Sequence, residues 1–122
     1  MTQKVNLAQK LDSFNDLWVP KVVAELNGQY VKLVKFKDEY VWHHHDNEDE
    51  MFLVLKGSME IHSKDSIISL EEGEFYVVNK GIEHKPVAKG ICEVLLIEPA
   101  QIRNTGNVDH QYTIEANDLD KI

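Results

Sequence analysis

From about Lys21 onward the chain reads as short β-prone runs cut by turn signals, and this punctuation limits the possible folds more than any other feature. Val22-Val23-Ala24-Glu25-Leu26 and Tyr30-Val31-Lys32-Leu33-Val34-Lys35-Phe36 flank Asn27-Gly28. An Asn-Gly pair between such runs predicts a hairpin, because both residues tolerate positive φ. Further strands are expected at about 40–45, 50–55, 58–63, 66–70, 74–78, 84–87, 91–97 and 111–114. The expected breaks carry Gly57, Lys64-Asp65, Glu71-Glu72-Gly73, Lys80-Gly81 and Lys89-Gly90. Short strands at this spacing predict an all-β sandwich or barrel.

The N-terminal segment 5–18 follows a different period. Leu7, Leu11, Phe14, Leu17 and Trp18 recur at three- and four-residue intervals, which predicts a short amphipathic helix packed on the sheet, with Asn6 as its N-cap. The strand expected at Glu50–Leu55 is apolar on both faces and needs cover on both sides. Either the N-terminal segment or a partner subunit can supply it, so a homodimer is expected.

With 122 residues and neither a repeat nor a Pro/Gly/Ser-rich linker, one domain over 1–122 is expected: the extension at 5–18, a barrel core at 21–98 and a C-terminal tail at 99–122. The longest apolar run, Met51–Leu55, is too short to cross a bilayer, and the first fifteen residues lack the apolar stretch of a secretory signal. A single cysteine, Cys92, precludes an internal disulfide and fits a reducing, cytoplasmic compartment. A formal charge of −8 argues against binding a phosphate backbone.

The most informative stretch is Trp42-His43-His44-His45-Asp46-Asn47-Glu48-Asp49-Glu50. In extended backbone, alternate side chains share a face, so His43 and His45 point one way and His44 the other. Two imidazoles so placed can reach one metal ion, Glu50 can add a carboxylate oxygen, and His84, three residues after Gly81, is the natural fourth ligand. His62, His44 and His110 have less support. The residues alone also permit a solvated acidic loop with adventitious metal affinity.

His43-x-His45, four residues, Glu50, six residues, Gly57 resembles the first motif of the cupin superfamily, in which two His and a Glu bind a metal. Gly73, five residues, Asn79-Lys80-Gly81, two residues, His84 resembles the second, whose His is the fourth ligand. The resemblance covers roughly residues 37–98, with fifteen residues between Gly57 and Gly73, and is to small single-domain cupins, some of them mannose-6-phosphate isomerase-like. Lys37, Asn79 and Ala88 depart from the motifs at positions that are not ligands.

The resemblance implies a double-stranded β-helix, or jelly roll, with one divalent transition metal per chain held by His43, His45, Glu50 and His84. Three imidazoles and a carboxylate suit Fe, Mn, Ni or Zn alike. The expected activity is that of a metal-dependent dioxygenase or isomerase/lyase acting on a small polar metabolite. The rival is a non-catalytic module that binds a small ligand or a metal.

Around this set, Glu48 and Asp49 are candidate acceptors for a ligand imidazole, set against a solvated acidic loop. Tyr76, Trp42 and Phe52 are candidate cavity walls, set against plain core. Cys92 reads as a small buried hydrophobe. Arg103 is the only arginine, which counts against a sugar-phosphate substrate. No Gly-rich phosphate loop, nucleophile elbow or Cys-x-x-Cys is present.

Overall fold

The computed structural model describes residues 3–122. A short helix, α1 (Leu7–Asp12), precedes the strands β1 (Lys21–Leu26), β2 (Gln29–Glu39), β3 (Glu50–Lys56), β4 (Met59–Ser63), β5 (Ile67–Leu70), β6 (Phe75–Val78), β7 (His84–Pro99) and β8 (Asp120–Lys121). The Asn27-Gly28 hairpin forms as expected, with Leu26 opposite Gln29. The long strand β7 is the spine: β2 pairs antiparallel along one edge, and β4 and then β3 share the other. β6 pairs with β3, and β5 with β4.

Alternation decides which side chains face inward. Val34 and Phe36 of β2, Phe52 and Val54 of β3, Met59 and Ile61 of β4 and Val94 and Leu96 of β7 meet in one buried cluster, so the sheet curls around a common interior. The opposite parity faces outward. Leu33 and Leu95, flanked by Met51, Leu53 and Leu55, pack against Leu11 and Phe14 of the N-terminal segment. The doubly apolar strand therefore finds its second cover within the same chain.

Four expectations are corrected. First, the helix ends at Asp12 rather than continuing to Trp18. Asn6 does cap it, accepting from the Gln9 N–H at 3.0 Å, but Asp12, Ser13, Asn15 and Asp16 are poor helix formers. Lys35 Nζ instead takes up the freed carbonyls of Leu11 and Phe14 at 2.8 and 2.7 Å. Trp18 then turns back at φ 64°, donates its N–H to the Lys35 carbonyl at 2.8 Å and pushes its ring into the barrel. Its indole stacks on Phe36 and Tyr40 at 4.6 and 4.7 Å between ring centroids.

Second, residues 40–45 form no strand; a single bridge joins His43 to His84. Third, Lys89-Gly90 does not break the chain into strands at 84–87 and 91–97. Both lie in β7, and the excess residues form a bulge that carries the ladder from Asp38 opposite Ala88 to Phe36 opposite Cys92. Fourth, residues 111–114 are not a strand. The chain passes through turns and a 3-10 turn at Ala116–Asp118 before β8 runs parallel to β1.

Candidate metal centre

Residues from three parts of the chain converge at one end of the barrel. His43 and His84 exchange backbone hydrogen bonds, His43 N–H to the His84 carbonyl at 3.0 Å and the reverse at 2.9 Å. The Gly81 N–H ties the turn before His84 to the His45 carbonyl at 2.8 Å. Glu50 opens β3 opposite Val78. All four side chains are buried, between 1% and 5% exposed.

Ring orientation is set by the backbone. His43 Nδ1 lies 2.9 Å from the Val41 carbonyl and His84 Nδ1 lies 2.8 Å from that of Ile82. Each carbonyl accepts a hydrogen bond from Nδ1–H, leaving Nε2 with its lone pair for a metal. His84 Nε2 and His45 Nε2 stand 3.4 and 3.6 Å from Glu50 Oε1, too far for good hydrogen bonds, and all three atoms are buried without a hydrogen-bond partner.

One ligand atom from each of His43, His45, Glu50 and His84 lies within 4.8 Å of the others. Donors about 2.1 Å from a shared ion stand about 3 to 4.2 Å apart, so a small contraction would satisfy the orphaned atoms. The residues fit a divalent metal, and the cluster can bind one.

The electrostatics separate the ligands. Burial, then the neighbouring His84, pushes the His43 imidazole down to about 4. Burial opposes a proton on His84 too, but contact with Glu50 outweighs it and raises His84 above its ordinary value. Glu50 would be raised by burial alone, yet contacts with His45, His84 and Glu98 hold it well below the usual carboxylate range.

Glu98 behaves oppositely. Burial and then Glu50 raise it well above that range, against the pull of Lys32.

Sequence reasoning missed Glu98 and Lys32. Lys32 Nζ donates to Glu98 Oε1 at 2.6 Å, with side chains 0% and 1% exposed, while Glu98 Oε2 has no partner. Parity carried the signal: Lys32 shares the face of Val34 and Phe36, and Glu98 that of Val94 and Leu96. Glu98 also lines a cavity of about 20 Å³ with Glu50, His43, Tyr40 and Trp18. His84 also lines a separate depression of about 270 Å³ bounded by Ser63, Ser66, Tyr76, Asn79 and Ile82.

The other candidates lie elsewhere. His44 turns outward between Glu83 and Asp46 at 3.0 and 2.8 Å, His62 meets Glu60 at 2.9 Å, and His110 Nδ1 accepts from the Tyr112 N–H. Asp49 accepts from the Lys80 N–H and so ties two loops together rather than orienting an imidazole. Glu48 makes no hydrogen bond or ion pair with His43, His45, Glu50 or His84, although it lines a surface hollow with His45. Phe52 lines the cavity shared by Glu50 and Glu98, Tyr76 the depression reached by His84, and Trp42 a separate surface groove. Cys92 is buried, its thiol pushed up to about 12 mainly by burial, as expected of an inert hydrophobe. Arg103 pairs with Asp109 and the Val108 carbonyl.

Among known proteins, the cupin-domain family pattern matches residues 31–98. A crystal structure of a cupin-2 domain containing protein from Shewanella frigidimarina is 46% identical, covers 78% of this chain and 93% of its own, and superposes with a TM-score of 0.77. A protein from Neisseria meningitidis is 31% identical over 80% of this chain and 99% of its own, with a TM-score of 0.74. The uncharacterized protein YdbB of Bacillus subtilis is 38% identical over 64 residues, 52% of this chain. That match spans 57% of the relative's length.

Proposed function

This chain belongs to the cupin-domain family, and from that premise we propose that it is a metal-dependent enzyme, a dioxygenase or an isomerase/lyase, acting on a small polar metabolite. The observation that carries this reading is the convergence of three imidazoles and one carboxylate beside a depression of about 270 Å³, of a size for a small molecule and reaching His84. The proposed ligands are His43, His45, Glu50 and His84. Four protein ligands leave about two positions of an octahedral shell for exchange.

A bound divalent ion would supply Lewis-acid polarisation of a carbonyl or, as iron, a place for substrate and dioxygen to meet. The chain's own residues do the rest. The carbonyls of Val41 and Ile82 fix the imidazole tautomers, and Glu50 offers an anionic oxygen. Ser63, Ser66 and Asn79 present polar groups at the mouth, while Tyr76 and Ile82 give it an apolar wall.

The test is anaerobic loading with Fe(II), admission of air and measurement of oxygen uptake with thiols, diketones and phenols. A parallel assay with Mn(II), Ni(II) or Zn(II) follows isomerisation or elimination of hydroxy-carbonyl compounds. Turnover abolished by His45→Ala supports the enzyme. Metal and ligand binding with no turnover in either assay would favour a non-catalytic module.

We further propose a cytoplasmic homodimer. Phe75 and Val77 are exposed on β6, and β6 is itself an edge strand, paired among the described residues only with β3. Both features support an association surface. Light scattering at tens of micromolar should give twice 14.1 kDa; the monomer mass would refute it.

A further inference from the structure

We propose that Glu98 is a second carboxylate of the metal centre: a positioning residue, held in place by Lys32, that supplies countercharge to an ion seated on Glu50. The proposal rests on the metal reading above. Glu98 is 1% exposed, and its two oxygens are treated differently: Oε1 takes a hydrogen bond from Lys32 at 2.6 Å, while Oε2 has no partner. A buried carboxyl oxygen without a donor is costly, so its persistence implies something absent from the protein chain itself.

The surroundings indicate what that is. Glu98 and Glu50 both line the cavity of about 20 Å³, with His43 and with Tyr40, whose hydroxyl is also unpartnered. Such a cavity holds about one water and no metabolite. Two acidic side chains in a dry interior repel unless a cation or a proton intervenes. A divalent ion on Glu50 removes that conflict and leaves Glu98 between two positive neighbours, the ion and Lys32. A lysine–glutamate pair serving packing alone would gain nothing from lying beside Glu50.

The experiment is Co(II) titration of metal-free protein against a competing chelator, with thermal melting of each apo variant as the check on folding. Glu98→Gln should weaken Co(II) binding about 10- to 100-fold and shift the visible Co(II) spectrum. Because that change also strands the Lys32 ammonium, the deciding variant is Lys32→Met with Glu98→Gln, in which the buried pair is replaced by neutral groups. It should remain at least about tenfold weaker, whereas Glu98→Asp, which keeps the charge, should recover most of the affinity. A double variant that binds Co(II) within about twofold of wild type, with an unchanged spectrum, would overturn the proposal alone. Wild-type protein that took up no Co(II) would overturn the metal reading and this proposal with it.

Discussion

Replacing Gly106 with alanine would show how far the C-terminal segment dictates the position of the histidine loop. Gly106 sits at φ 56°, where a side chain costs about 1–2 kcal/mol. An added Cβ would lie 2.2 Å from the His44 carbonyl oxygen, 3.0 Å from its carbon and 3.1 Å from His43 Cδ2. An ordinary carbon–oxygen contact is about 3.3 Å, so the chain must give by about 1 Å, and the obstructing atoms are mostly backbone.

The same loop is held by Asn107, whose N–H donates to the His44 carbonyl at 3.2 Å and whose Oδ1 accepts from the His44 N–H at 2.9 Å. Losing both bonds adds about 1–3 kcal/mol, for a total of roughly 2–5 kcal/mol. Gly90→Ala is the control: its φ is 67° and an added Cβ meets nothing within 4 Å, so it bears only the backbone cost. Urea unfolding of the apo variants and metal titration form the assay. Gly106→Ala should be clearly less stable than Gly90→Ala and bind metal at least about tenfold more weakly. Equal stabilities together with wild-type metal affinity would refute the reasoning.

His84→Ala and His45→Ala should each lower metal affinity by about 100-fold or more, while His44→Ala, facing Glu83 and Asp46, should stay within about twofold by the same titration. For the apo protein, His43 is pushed down to about 4, so the unfolded chain protonates first. Stability should therefore fall as pH drops from about 6.5 to 4, by up to roughly 3 kcal/mol from this group, read from urea midpoints. His84 is raised by Glu50 and has the opposite sign: its contribution is complete below about 6.5 and lost as pH rises through its folded-state value. Because protons compete for the imidazole lone pairs, metal binding should weaken below about pH 6, followed by the same titration; full occupancy well below that pH would contradict an imidazole-dominated site. Trp18→Ala removes a ring stacked on Phe36 and Tyr40 and should cost about 3–5 kcal/mol in thermal or urea unfolding, whereas a loss below about 1 kcal/mol would mean that the plug is not part of the core.

What the sequence revealed follows how local the deciding physics is. Asn27-Gly28 encodes its hairpin within two residues, and the alternation of Phe52 with Val54 states which face of β3 is inside. The spacing of His43, His45, Glu50 and His84 was legible because the motif resemblance supplied long-range pairing that periodicity cannot. Trp18 was misread for the same reason: its helical spacing is real, but the Lys35 carbonyl and the Phe36–Tyr40 slot that capture it are distant in sequence. Lys89-Gly90 looked like a break because a bulge and a turn use the same residues. Lys32 and Glu98 sit on the inward parity of their strands, but nothing local shows that two charged residues so far apart in sequence meet, and only their pairing inside the barrel makes burial tolerable.

The central claim is that His43, His45, Glu50 and His84 hold one divalent ion. Elemental analysis of wild-type and His84→Ala protein, both reconstituted anaerobically and desalted, tests it most directly. The account predicts close to one metal per chain in the wild type and far less in the variant. A metal-free wild type, or equal occupancy in both, would contradict it.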